Sequence, residues 1–126
     1  MVKIQESYEN YLKAIYLISK KKKGGWVSNS EISNFLGVKP SSVTNMLYNL
    51  KEHKFIDWNP RKSFRLTPEG KSTAILTLDK YNQLKRFFIR ILKIKNNSKL
   101  DEICCKIEHH ITPEVLNALH DLTIEI

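Results

Sequence analysis

A mainly α-helical chain with one short β-hairpin is what the sequence predicts, and three observations carry that prediction. Apolar residues recur at three- and four-residue spacings over most of the 126 residues. Two brief β-prone stretches stand close together near the middle, separated by a proline-containing turn. Proline and glycine fall mostly at the joints between the helical stretches, where chain reversals need them.

From Glu6 to Ser19, Tyr8, Tyr11, Leu12, Ile15, Tyr16 and Ile18 form the buried stripe of a first helix. Lys20 to Lys23 and then Gly24-Gly25 end it, placing cations at the negative end of the helix dipole. Trp26-Val27 is extended. Ser28 or Ser30 caps the next helix, with Glu31 in its first turn and Ile32, Phe35 and Leu36 on its inner face. Gly37 ends that helix, and Pro40 opens another whose Val43, Met46, Leu47 and Leu50 face inward. Helix, tight turn and helix make a helix-turn-helix. The opposite face of the second helix presents Lys39, Ser41, Ser42, Thr44, Asn45 and Asn49, short donors and acceptors suited to base edges and phosphates. A two-helix packing unit with a polar surface would share the local pattern.

Phe55 to Trp58 and Ser63 to Thr67 are strands joined by Asn59-Pro60-Arg61-Lys62, a cationic hairpin tip backed by Arg65. This is a wing. Thr67 caps a following helix with Pro68 at its first position, and Gly70 inside that helix carries a penalty of about 1 kcal/mol against Ala. One long helix then runs from Lys71 to Leu92. Lys93 to Lys99 is a linker, Leu100 to His110 is a helix with Ile103, Ile107 and partly Cys104 inward, and Pro113 restarts a last helix through Val115, Leu116 and Leu119. Residues 1–73 thus read as a winged helix-turn-helix domain and 74–126 as a helical metal-binding and dimerisation domain. So little chain with so much apolar surface favours burial against a second subunit.

Charge is distributed to match. Residues 1–73 carry 13 Lys/Arg against 6 Asp/Glu, and residues 74–126 carry 8 against 7. A basic half joined to a balanced half suits phosphate neutralisation by one module. The two cysteines, Cys104 and Cys105, are neighbours, so a bridge between them would be strained, and their usage indicates a reducing, cytoplasmic setting. Apolar runs are too short for a membrane span.

Cys105, Glu108 and His109 stand at i, i+3 and i+4, spacing that places thiolate, carboxylate and imidazole on one helical face. That donor set suits a borderline transition ion and not Mg or Ca. A buried thiol beside a surface carboxylate and histidine would give the same spacing. His110 points about 100° away. Nucleophilic use of Cys105 with His109 lacks oxyanion donors, and no phosphate loop, serine elbow or H-E-x-x-H occurs, so an enzyme is not expected.

With ENYLKAIY, ISNFLGVKPSSVTNML, RLTPEG and CKIEHHITPEVLNAL in order along nearly the whole chain, the protein resembles the metal-dependent repressors of the diphtheria toxin repressor and manganese transport regulator family. The likeness is to shorter members that lack an SH3-like third domain. It implies a homodimer that binds an inverted-repeat operator on double-stranded DNA, with Fe(II) or Mn(II) tying the first helix to the second domain. The operator-facing stretch falls on Lys39, Pro40, Ser41, Thr44 and Asn45, and the metal ligands fall on Cys105, Glu108, His109 and Asn10. Thr44 and Asn45 would meet bases; Lys39, Ser41, Ser42, Arg61, Lys62 and Arg65 would meet the backbone. Companion-site ligands of the family fall on Tyr81 and Lys85, and a first-helix acid falls on Lys13. A cation at 13 or 85 repels a dication, which implies at most one metal per subunit, or none. A metal-independent member of the same family, with an ammonium standing in for one ion, and a winged-helix protein-interaction module are the alternatives.

Overall fold

The computed structural model describes residues 2–60 and 63–124. They divide into two compact units, 1–75 and 76–126.

In the first unit, α1 (Val2–Ser19) lays Leu12, Ala14 and Ile15 into the core. After a short 3₁₀ turn whose Gly24 has φ 83°, α2 (Asn29–Leu36) starts at Ser28. Ser28 and Glu31 form a reciprocal capping box, which satisfies two amide groups that the first turn leaves open. Lys22 pairs with the same carboxylate, and this contact is the main reason the Glu31 carboxyl is held below its ordinary range. Helix α3 (Pro40–Glu52) has Pro40 in its first turn and buries Val43, Leu47 and Leu50. The wing follows as β1 (Ile56–Asn59) and β2 (Ser63–Leu66), antiparallel, with Ile56 opposite Leu66 and Trp58 opposite Phe64. Val27 adds one bridge to Phe64. Arg61 and Lys62, expected at the hairpin tip, lie outside the described residues.

Helix α4 (Pro68–Arg90) begins where Thr67 Oγ1 accepts from Gly70 N at 3.1 Å. Gly70 is more than a tolerated residue. A Cβ there would stand 2.1 Å from the Phe55 carbonyl oxygen, so the start of α4 can approach the segment between α3 and β1 only without a side chain. The unit boundary falls within α4, between Ile75 and Leu76.

In the second unit, the rest of α4 is joined by α5 (Ser98–Ile107), capped by Asn97, and α6 (Pro113–Ile124). Leu84, Leu100 and Cys104 form its buried cluster, with Tyr81, Phe88, Ile89, Ile107, Ile111 and Leu119 packed around them. His120 meets Asp79 at 2.9 Å and so links α6 to α4.

Two residues expected to face inward do not: Phe35 and Ile103 are 52% and 48% exposed. Each lies at the edge of its apolar stripe, where helical spacing alone does not distinguish a covered residue from an uncovered one. Cys104, expected to be only partly inward, is completely buried.

Candidate nucleic-acid interface and metal-ligating residues

The turn before α3 is fixed from behind. Gly37 has φ 68°, its N–H and that of Val38 donate to Ser33 O at 2.9 and 3.2 Å, and the buried Ser33 hydroxyl donates to Val38 O at 2.6 Å. Nothing lies within 4 Å of a Cβ at Gly37, so glycine is needed there for its left-handed backbone and not for space. With Val43, Leu47 and Leu50 anchored beneath, α3 turns Lys39, Pro40, Ser41, Ser42, Thr44, Asn45 and Asn49 outward, all exposed.

Thr44 is less available than its position suggests. Its hydroxyl donates to Pro40 O at 3.0 Å and accepts from Asn29 Nδ2 at 2.8 Å. The hydroxyl is occupied within the protein, and the methyl group is what remains for an apolar contact such as a thymine methyl. On β2, Arg65 is exposed with its guanidinium 4.5 Å from the Trp26 ring centroid. Stacking uses the face of the guanidinium and leaves its edge donors for an acceptor.

In the second unit, Cys105, Glu108 and His109 follow one another across the end of α5. Helix α5 ends at Ile107, with the Glu108 N–H still donating to Cys104 O, and Glu108–His110 tightens into a 3₁₀ turn. Among the described residues, no three His, Cys, Asp or Glu side chains are grouped as a metal site. Cys105 and His109 are half-buried, His110 is exposed and Glu108 is completely buried. Of the Glu108 carboxylate oxygens, Oε2 accepts no hydrogen bond among the described residues. The donor types still fit a borderline ion, and a buried carboxylate is the kind of group that a cation stabilises. Burial, followed by the neighbouring Cys105, pushes the Cys104 thiol up, which suits an inert core residue. Asn10 and Lys13 lie on α1 in the first unit, both half-buried.

Tyr81 and Lys85 converge on Asp101, a residue to which the sequence alone drew no attention. Tyr81 Oη donates to Asp101 Oδ1 at 2.8 Å, Lys85 Nζ stands 2.8 Å from the same oxygen, and the ammonium lies 5.7 Å from the Tyr81 ring centroid. The Lys85 contact is the first reason the Asp101 carboxyl sits below its ordinary range, and Asp101 in turn raises Lys85. A cation is already supplied here by the chain itself.

Residues 3–64 match the model of the iron dependent repressor N-terminal DNA binding domain, and residues 67–124 match that family's metal binding and dimerisation domain. The chain belongs to the iron-dependent repressor family. Among relatives of this chain, the uncharacterized HTH-type transcriptional regulator MJ0568 of Methanocaldococcus jannaschii is 32% identical over 92% of this chain and 91% of its own. The HTH-type transcriptional regulator MntR of Bacillus pumilus is 29% identical over 92% of this chain and 78% of its own. Among solved structures, T. acidophilum IdeR aligns with a TM-score of 0.73 at 29% identity, covering 90% of this chain and 52% of that one. A manganese-dependent transcriptional repressor complex with manganese aligns at 0.79 and 18% identity over 92% and 52%, a likeness of fold. The chain therefore spans about half the length of these two solved structures.

Proposed function

We propose that the protein is a transcriptional repressor that acts in the cytoplasm, as a homodimer on an inverted-repeat DNA operator, and responds to Fe(II) or Mn(II). The observation that carries this reading is the outward face of α3: exposed, short and polar, on a helix whose aim is fixed by the Ser33–Gly37 turn, within the domain that matches the family's DNA-binding model. Two such helices about 34 Å apart would enter successive major grooves. Asn45 reads a base edge and Thr44 offers its methyl group. Lys39, Ser41, Ser42, Arg61, Lys62 and Arg65 hold the backbone. The second unit leaves Leu76, Leu92, Ile94, Ile103 and Leu122 exposed, apolar surface that a second subunit would cover.

Cys105, Glu108 and His109 would hold the ion, and the ion would supply positive charge beside the completely buried Glu108 carboxylate. We assign no catalytic role to any residue. Elemental analysis of the purified protein, paired with DNA affinity before and after chelation, tests the metal response: a bound transition ion and a large loss of affinity on stripping are expected. Asn45→Ala should relax sequence preference by about 1–3 kcal/mol, while Arg61→Ala should weaken all duplexes alike and flatten the salt dependence. Equal effects of both variants on selected and random duplexes would refute that division of roles.

One observation favours a second reading. Lys85 stands at a position where the family resemblance places a companion-ion ligand and pairs with Asp101, so the chain's own ammonium supports a metal-independent member of the family. Chelated protein that binds DNA as tightly as the untreated form would select that reading.

A further inference from the structure

Between α3 and the wing lies a cleft of about 180 Å³. Thr44, Leu47, Tyr48 and Lys51 line it from α3, Trp58 and Phe64 from the strands, and Asn29 from α2. Tyr48 and Trp58 are 66% and 50% exposed, so two large rings stand at the surface without serving the core. Lys51 Nζ rests 5.1 Å from the Trp58 ring centroid. Thr44, Tyr48 and Lys51 are spaced at i, i+4 and i+7, so the cleft continues the same ridge of α3 that carries the reading face.

A helix in the major groove and a hairpin against the next minor groove are separated, in B-form DNA, by one sugar-phosphate strand. That strand must pass between them. Deoxyribose presents apolar faces and phosphate presents charge, and the cleft offers the complement: two rings, an ammonium and a phenolic hydroxyl, on a half of the chain with a formal net charge of +7. We infer that this cleft is a seat for the DNA backbone strand between the two grooves, with Lys51 and Tyr48 meeting a phosphate and Trp58 packing on the adjoining sugar. The inference rests on the proposal that the first unit binds duplex DNA. It adds residues that neither the reading face nor the hairpin tip includes.

Fluorescence anisotropy of the full chain, with Mn(II) in the buffer, on a mixed-sequence 30-base-pair duplex and on a duplex selected by the wild-type protein, tests it. Lys51→Met should weaken binding to both duplexes by the same factor, about 3–10-fold, and reduce the slope of log affinity against log salt by about 1. Trp58→Ala should weaken both several-fold and leave the slope unchanged. If Trp58→Ala does not fold, Trp58→Phe replaces it, with a smaller loss expected on both duplexes. A single neutral methylphosphonate placed at the seated phosphate should abolish the difference between wild type and Lys51→Met. Unchanged affinity and slope in Lys51→Met, or a loss confined to the selected duplex, would overturn the inference while leaving the DNA-binding proposal intact. Wild-type protein that binds neither duplex would overturn both.

Discussion

The first unit closes around nine buried apolar residues drawn from α1, α2, α3, α4, the wing and the Val27 bridge, whereas the buried cluster of the second consists of Leu84, Leu100 and Cys104. The first also ties its turns with specific bonds, at Ser28, Ser33 and Thr67. The second relies on polar links, Lys85–Asp101 and His120–Asp79, and leaves several large apolar side chains exposed. A reader of DNA has to hold its shape before it meets its partner. A dimerisation module gains much of its order from what it binds, and its thin core leaves room for an ion or a second subunit to set its stability.

This contrast can be broken most severely at Gly70. Gly70→Ala drives a Cβ into the Phe55 carbonyl and should destabilise the first unit by about 3 kcal/mol or more, read as a lower urea midpoint and lost DNA binding. A loss under about 1 kcal/mol would show that the junction yields. Leu47→Ala and Leu100→Ala sharpen the comparison as a pair. The first should cost about 3 kcal/mol at any protein concentration, and the second about 2 kcal/mol with a Tm that depends on concentration. If both respond to concentration alike, the first unit is not self-sufficient. Ser28→Ala removes the capping box and should cost about 1 kcal/mol, with circular dichroism following the loss.

The smallest effect belongs to Asp101→Asn. Lys85 holds the Asp101 carboxyl below its ordinary range, so the stabilisation is present above that range and is lost as pH falls through the folded-state value. Lys85 is shifted upward, so its share is lost only as pH rises through its own raised value. Across the neutral range the link is complete. The variant should show a slightly lower Tm at neutral pH, and the difference should vanish in acid. The pair is solvent-screened, so the shift is small. A difference that persists in acid would mean that packing, not charge, accounts for it.

Element order was legible because helical periodicity and the turn residues agreed: Gly37 and Pro40 bracket the reading turn, and Thr67-Pro68 opens α4, as their backbone preferences require. Departures arise where the deciding contact is distant in sequence or the local geometry changes. Asn29 occupies the Thr44 hydroxyl from 15 residues away, and Tyr81 reaches Asp101 across 20. Phe55 lies next to Gly70 only once the hairpin has folded. Leu100 to His110 reads as one helix in the sequence, whereas α5 ends at Ile107 and Glu108–His110 follows as a 3₁₀ turn. The cleft had a signal that went unused: Tyr48 and Lys51 extend the Thr44 ridge at helical spacing, and Trp58 sits beside them on a strand.

The hydrogen-bonded turn at Ser33 and the anchors Val43, Leu47 and Leu50 set where α3 points, while Ser41, Asn45 and Asn49 carry none of that packing. On the proposed reading, folding and recognition are therefore encoded by different residues of the same helix. A change of operator preference, on that reading, needs only a replacement at Asn45 and leaves the scaffold intact, so duplicated copies of such a gene can diverge in target without first losing the fold.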